Sequence, residues 1–485
     1  MRTDTIAAIA TALSDSGIGI IRVSGEEAIP IVHKIYRNKK NQAVLSDYHS
    51  HTIHYGFIIE KNGDLIDEVM VSVMKSPHSY TTEDTVEINC HGGALMMKKI
   101  LMTVIEAGAR LAEPGEFTKR AFLNGRMDLS RAEAVMDMIH AKNQFALKSS
   151  IKQLRGSVSD KIKELRKKIL YEIAFIESAL DDPEHISLDG YEERLSGQVS
   201  YLLKELEKLL ESADNGKMMK EGIRTVIVGK PNVGKSSLLN LLVGQDRAIV
   251  TNVAGTTRDT LEETVNLGDI TLHVIDTAGI RSTEDVVEKI GVEKAKTISE
   301  DADLILYVMD TSIPIDDNDK DIMRMIKDKK TIILLNKSDL DEVVDQSSVA
   351  DLLSEITKKS ISLYVSSEMN YEEEKQQDEN IHMVKFSAKE NNGLDSLVGL
   401  IRKMFFHGRI SYDNEVCITS SRHKEALLET LDSMNQVRAS LENGMPEDFY
   451  SIDLMNAYAS LGRIIGEEVG DDLVNEIFSK FCMGK

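Results

Sequence analysis

The residues best suited to chemistry lie mid-chain, in Gly229-Lys230-Pro231-Asn232-Val233-Gly234-Lys235-Ser236-Ser237. Their spacing fits G-x-x-x-x-G-K-[ST], a loop whose backbone N–H groups turn toward phosphate oxygens and whose following helix adds positive charge at its N-terminus. Lys235 reaches the β- and γ-phosphates as a point charge, and Ser236 offers its hydroxyl to Mg²⁺. Alone, such a motif also arises as an ordinary glycine turn. Three later stretches remove that reading. Asp276-Thr277-Ala278-Gly279 closes the strand-like run 272–275. An aspartate there holds Mg²⁺ through water, and a glycine responds to the γ-phosphate. Asn336-Lys337-Ser338-Asp339 follows the strand-like run 331–335. The aspartate carboxylate accepts two N–H bonds from guanine and is repelled by the adenine pattern, so it selects GTP over ATP. Ser387-Ala388-Lys389 follows the run 383–386 and supplies a backbone contact to the base. Four such elements in this order, each at a strand end, predict a GTPase.

The first switch loop belongs at Thr251-Asn252-Val253-Ala254-Gly255-Thr256-Thr257-Arg258-Asp259. Thr257 is the second expected Mg²⁺ ligand. Ile280 follows Gly279, where a Ras-type enzyme carries a water-orienting glutamine. The attacking water must therefore be placed by another group. Arg258, Arg281, Glu284 and Glu288 are the polar candidates nearby, and an arginine finger in cis stays open.

The elements that position these loops belong to a larger chain. Its 485 residues suffice for about three domains. Hydrophobic residues make up 42%, enough for proper cores, and no apolar run is long enough to span a bilayer. The start of the chain has no signal-peptide layout. Cys90, Cys417 and Cys482 form no C-x-x-C pair, which suits a reducing cytoplasm and argues against a zinc site. The net charge of -22 disfavours non-specific nucleic-acid binding. An RNA target would need a local basic patch or a partner.

Residues 1–122 read as α+β, with strand-like 18–23 ending at Ser24-Gly25 and an apolar helix running through Val104. Singly, Arg22, Glu87 and Arg126 read as solvated or salt-bridged side chains, because surface charges are common. His91, before a Gly-Gly turn, reads as structural, with metal ligand or base as the other possibility. Residues 123–216 are helical. Leu154, Val158, Ile162, Leu165, Ile169, Ile173 and Ile176 recur at spacings of three and four along one apolar face. Lys161, Lys163, Arg166, Lys167 and Lys168 mark the opposite face, read as solvated before RNA-binding. Asp181-Asp182-Pro183 breaks this pattern, and Asn215-Gly216 is expected to end the next helix. The nucleotide segment spans 217–405 and carries an acidic insertion from Glu368 to Asn380, read as a tolerated loop, with partner binding the other possibility. Residues 406–485 return to helix. Neither helical part looks self-sufficient, so they are expected to form one discontinuous bundle with a Ras-like P-loop domain inserted into it.

The stretches Gly17 to Gly25, Ser79-Tyr80-Thr81-Thr82-Glu83-Asp84, Pro114 to Arg126, Gly255-Thr256-Thr257-Arg258-Asp259 and Phe481-Cys482-Met483-Gly484-Lys485 carry a resemblance to a known family. Across essentially its whole length the chain resembles the MnmE (TrmE) family of tRNA-modification GTPases. The two ends are the most specific parts, since other small GTPases share the nucleotide motifs but neither end. The resemblance implies an N-terminal folate-binding and dimerisation domain, a homodimer, and a flavoprotein partner, MnmG, in a heterotetramer. Together these would add an aminomethyl or carboxymethylaminomethyl group to carbon 5 of the wobble uridine of certain tRNAs. The bound folate would be 5,10-methylenetetrahydrofolate or 5-formyltetrahydrofolate, contacted by Arg22, Glu87, Arg126 and Lys485. An acidic acceptor for pterin N–H groups and basic side chains for carboxylates suit that ligand. The resemblance further implies K⁺, held by Asn232 and by oxygens of Thr251, Val253 and Thr256, with Glu288 as the catalytic glutamate. Cys482 is left with two readings, a part in modification or a thiol that merely belongs to the motif. Met483 stands where the family pattern usually has a branched aliphatic residue. The rival reading is a ribosome-assembly or translation GTPase that only switches, which fits the nucleotide motifs but neither end.

Overall fold

The computed structural model describes residues 4–42, 45–182, 184–185, 187, 189–244, 262–268, 270–276, 302–357, 380–406, 416–482 and 484. They divide into two compact units. One holds 1–140, 150–206 and 425–485, the other 141–149 and 207–424.

In the first unit, β1 (Ile6–Ile9), β2 (Gly19–Ser24), β3 (Tyr36–Arg37), β4 (Thr52–Ile59), β5 (Leu65–Met74), β6 (Thr85–Cys90) and β7 (Arg110–Leu111) form a sheet ordered β3-β4-β5-β6-β2-β1-β7. Its pairs are antiparallel except β1 with β7. Strand β5 shows why the sheet has two unlike faces: Val69, Val71 and Val73 are buried while Glu68 and Met70 are exposed. The apolar face packs on helices Ala28–Ile35 and Ala94–Glu106 through Val32, Ile100 and Val104. Full burial of each such side chain contributes about 1.5–3 kcal/mol.

The predicted stripe forms the inner face of helix Ser157–Asp181, with Val158, Ile162, Leu165, Ile169, Ile173 and Ile176 buried. It packs along helix Glu447–Ile465. The solvated reading of Arg166 is corrected. Arg166 is buried, pairs with Glu467 and Glu468, and lies 3.9 Å from the centre of the Tyr458 ring. Helical spacing puts it at the edge of the stripe, and Gly462 leaves the room: a Cβ there would sit 3.0 Å from the guanidinium. Lys163 and Lys167 remain exposed.

In the second unit, β8 (Ile223–Val228), β9 (Glu262–Leu267), β10 (Ile270–Asp276), β11 (Leu304–Asp310), β12 (Thr331–Asn336) and β13 (Ile381–Lys385) form a sheet ordered β13-β12-β11-β8-β10-β9. Only β9 runs antiparallel to its neighbour among these described strands. Every residue of β11 and β12 is buried. Such uninterrupted apolar runs belong to parallel strands covered on both faces. Ile227, Leu306 and Leu334 point into one core and Val226, Tyr307 and Leu335 into another. The helix expected to stop at Asn215-Gly216 instead runs from Tyr191 to Glu221. Gly216 serves close approach: a Cβ would lie 2.3 Å from the Ile418 carbonyl oxygen. The acidic insertion lies outside the described residues apart from Asn380.

Gly115 takes φ of 67° before helix Glu116–Leu123, and a Cβ there would come within 2.5 Å of the Phe478 carbonyl oxygen. Gly115→Ala is expected to cost about 1–3 kcal/mol through strain and overpacking. Denaturant unfolding of the full chain measures it.

Candidate functional site

The nucleotide loop begins where β8 ends. Gly229 and Gly234 have φ of 150° and 106°, and Asn232 takes the left-handed region at 63°. A Cβ on Gly229 would lie 2.4 Å from the Val308 carbonyl oxygen, so glycine is required for the loop to pass β11. Helix Lys235–Gly244 follows, with Ser236 and Ser237 exposed in its first turn. The Lys235 ammonium donates to the carbonyls of Gly229 and Lys230 at 2.7 and 2.6 Å, which holds it against the first turn of the loop.

Asn336, at the end of β12, is only 3% exposed. Its amide nitrogen donates to the Val233 carbonyl at 2.7 Å, and its amide oxygen accepts from Ala388 N–H at 3.0 Å. One side chain thus joins the phosphate loop to the loop after β13. There the Ser387 hydroxyl donates to the Asp339 carboxylate at 2.7 Å, and this bond, the largest influence, holds the Asp339 pKa below its ordinary value. Asp339 and Lys389 are exposed, so the carboxylate edge faces outward for a base. Lys337, with φ of 63°, reaches Asp310 at 2.5 Å. Burial pushes the Asp310 carboxyl up, but bonds from Lys337 and Ser312 outweigh it and leave the pKa lowered.

The geometry therefore gathers Asn232, Val233, Gly234, Lys235, Asn336, Asp339, Ser387 and Ala388 at neighbouring strand ends. Asp276 closes β10 in register with Ile227 of β8. Thr251, Asn252, Val253, Ala254, Gly255, Thr256, Thr257, Thr277, Ala278, Gly279 and Glu288 lie outside the described residues. Of the expected Mg²⁺ ligands, Ser236 is described and suitably exposed; of the K⁺ ligands, Asn232 is. Sequence reasoning gave Lys230 no part, yet its ammonium binds Asp316 and Asp319 at 3.0 and 2.7 Å, and Asp319 also accepts from the Tyr307 hydroxyl. These partners lie far along the chain, so no local pattern signals them.

In the first unit, Arg22 and Glu87 are cross-strand partners on β2 and β6, with Nε donating to Oε1 at 2.8 Å. The Arg22 guanidinium stands 5.5 Å from the Tyr80 ring centre and 5.6 Å from that of Phe117. Arg126 covers the same Tyr80 ring at 4.7 Å and donates to the Tyr80 carbonyl. Of the four charged residues expected to contact folate, Arg22 and Arg126 thus stand over one aromatic ring, and Glu87 is joined to them through its pair with Arg22. Arg22 also donates to the Gly484 carbonyl at 3.1 Å, and Gly115 N–H to that of Cys482 at 3.3 Å. These bonds lay the tail beside the pair, while Lys485 lies outside the described residues. Behind the ring, Glu83 accepts from Arg120 and Ser24, and Arg120 also pairs with Asp4 and Glu116. Tyr80 and Phe117 were missed as individual residues, although both lie inside the quoted stretches that carry the family pattern. His91 bonds Asp67 through both its backbone N–H and its ring, at 2.9 and 2.7 Å. Among the described residues no helix is long and apolar enough to cross a membrane.

Asn336→Ala leaves the Val233 carbonyl and the Ala388 N–H without their partner. GTP and GDP affinity is expected to fall by about 1–3 kcal/mol, roughly five- to 150-fold, in a fluorescent-nucleotide titration.

Residues 5–126 match the family model for the GTP-binding protein TrmE N-terminus, and 129–482 match that for the MnmE helical domain. The tRNA modification GTPase MnmE of Lachnoclostridium phytofermentans is 54% identical, covering 100% of both chains. That of Clostridioides difficile is 46% identical over 99% of each chain, and that of Acetivibrio thermocellus 44% over 100%. With matches that run from end to end and motifs that build a guanine-nucleotide site, this chain belongs to the MnmE family of tRNA-modification GTPases.

Proposed function

We propose that the chain is a potassium-dependent GTPase that works as a homodimer with a flavoprotein partner, MnmG. Together they add an aminomethyl or carboxymethylaminomethyl group to carbon 5 of the wobble uridine of tRNA. The observation that carries this beyond GTP hydrolysis is the meeting of Arg22 and Arg126 over Tyr80, with Glu87 paired to Arg22 and the tail carbonyl of Gly484 bonded to the same guanidinium. A conjugated ring with N–H donors and a carboxylate tail matches that set: Glu87 accepts from ring N–H groups, the arginines hold carboxylates, and Tyr80 offers an apolar face. A bound tetrahydrofolate, as 5,10-methylenetetrahydrofolate or 5-formyltetrahydrofolate, would supply the one-carbon unit there. A switch that acts only in ribosome assembly or translation has no use for this constellation.

At the nucleotide site, Lys235 would neutralise phosphate charge and Ser236 would give Mg²⁺ one oxygen ligand. Asn232, left-handed and exposed, places its side chain at the loop where K⁺ would sit with Thr251, Val253 and Thr256. There a monovalent cation would supply the charge that an arginine finger supplies elsewhere. Glu288 would orient the attacking water in place of the glutamine that Ile280 replaces. Asp339 would read guanine and so set the choice of GTP.

Two measurements test the proposal. GTP turnover at matched ionic strength is expected to be about tenfold or more faster in potassium than in sodium; equal rates remove the cation from the mechanism. Nucleoside mass spectrometry of tRNA from cells lacking the chain is expected to show loss of the carbon-5-modified wobble uridines. The intact chain restores them and an Arg22→Ala chain does not. An unchanged profile in the deletion strain rejects the modification pathway.

A further inference from the structure

Lys230 sits in the nucleotide loop with both its side chain and its backbone engaged. Its ammonium donates to Asp319 at 2.7 Å and to Asp316 at 3.0 Å, and its carbonyl accepts from the Lys235 ammonium at 2.6 Å. The two acids lie at the start of helix Asp317–Ile326. Asp316 caps that helix: one carboxylate oxygen accepts from the N–H groups of Asn318 and Asp319, and the other takes the lysine. Asp319 divides its oxygens too. One accepts from the Tyr307 hydroxyl at 2.8 Å, the other from Lys230 and from the Asp316 N–H. Tyr307 lies on β11 in register with Val228, the last residue of β8 before the loop. Tyr307 is fully buried and Asp319 is 2% exposed, while the Lys230 side chain keeps 11%. The same connection between β11 and the helix receives Lys337 of the base-reading loop on Asp310.

A helix cap explains part of this arrangement. Capping works at exposed positions with a short polar side chain, so it calls for neither a buried carboxylate nor a tyrosine behind it. Stability explains it no better, since apolar side chains of similar volume often do as well as a buried ion pair. What the ion pair adds is a fixed place: Lys230 can turn away only by leaving a buried charge without its partner. Both parts of the residue are then set, its side chain by the two acids and its carbonyl by Lys235. Backbone N–H groups bind phosphate best when they already point at it, because ordering a loop on binding subtracts from affinity. We propose that Lys230 is a positioning residue for GTP: Asp319 and Tyr307 form a clasp that holds it, and the clasp presets the first turn of the phosphate loop. Lys230 acts through the loop backbone and not by touching phosphate. The assignment rests on the reading of 229–237 as the phosphate loop.

The test follows GTP and GDP binding, GTP hydrolysis and thermal unfolding of the full chain. Lys230→Met is expected to weaken both nucleotides about tenfold. KM is expected to rise in step while kcat stays within about twofold, because a filled loop is held by its phosphates. Lys230→Arg keeps a charge for both carboxylates and is expected to bind within about twofold of the unmutated chain. Asp319→Asn is expected to weaken binding about tenfold, and Tyr307→Phe about threefold. The double variant Lys230→Met/Asp319→Asn is expected to bind no more weakly than Lys230→Met alone, because the two side chains act as one unit. Lys320→Met, which removes a surface partner of Asp317 on the same helix, is expected to change nothing. A kcat that falls with KM unchanged gives Lys230 a direct contact with the reacting phosphate. A lowered unfolding temperature with unchanged affinity reduces the clasp to a helix cap. Additive losses in the double variant separate Lys230 from Asp319. Each of these overturns the proposal. Tyr307→Phe removes a single hydroxyl, so its unchanged affinity overturns the clasp even where Lys230→Met folds poorly. A full chain that binds no guanine nucleotide rejects the reading of the loop; normal binding by every clasp variant rejects the clasp alone.

Discussion

The nucleotide site depends on a buried amide. A loop that wraps phosphates and a loop that reads a base sit at the ends of different strands, and each is irregular backbone with its own freedom. Asn336 joins them by donating to one and accepting from the other, at a position closed to water. In that setting each bond resists breaking, because a lost partner leaves a buried polar group without water to replace it. The Asn336 carbonyl also accepts from Thr311, so the end of β12 is tied to the end of β11. Parallel strands covered on both faces give these ends a common rigid base.

The first unit meets the same problem with charge. Arg22 and Glu87 are partly shielded, which makes each costly alone and favourable together. Their pairing follows from strand register: one residue of slippage would send Arg22 to the apolar face. Tyr80 and Phe117 enter from a loop and a helix to form an aromatic lining, and the chain's last residues are bonded alongside. Glycine permits that path, since a Cβ on Gly484 would lie 2.4 Å from the Ile9 carbonyl oxygen. The Arg22–Glu87 pair, the tail and the sheet are therefore one construction, joined by Arg120, Glu83, Asp4 and Glu116 in a second set of ion pairs.

Charge is distributed with the same economy. Arg166 is drawn into the helical core, where Tyr458 and two glutamates receive it, and so leaves the basic face on which the linear pattern places it. Asn38 closes the β3–β4 turn through the N–H groups of Lys40 and Gln42, and Lys39 and Lys40 are exposed there.

The nucleotide loop, the strands that lead into it and the apolar stripe of helix Ser157–Asp181 were legible in the linear order of residues. Each depends on neighbours within a few positions: glycine where φ must be positive, β-branched runs for buried strands, a three-four spacing for one helical face. Membership of the family was legible too, because its stretches are contiguous. What needed the tertiary structure were the relations between distant residues. Helix Tyr191–Glu221 passes through Asn215-Gly216 because Ile418 packs there, so a local stop signal was overruled by close approach. Arg22, Glu87 and Arg126 are ordinary surface charges one at a time; only the fold pairs Arg22 with Glu87 across β2 and β6 and sets Arg22 and Arg126 over the same Tyr80 ring. Sequence alone determined the pieces whose physics is local; the structure decided which of them meet, because burial and pairing depend on residues the chain places far apart.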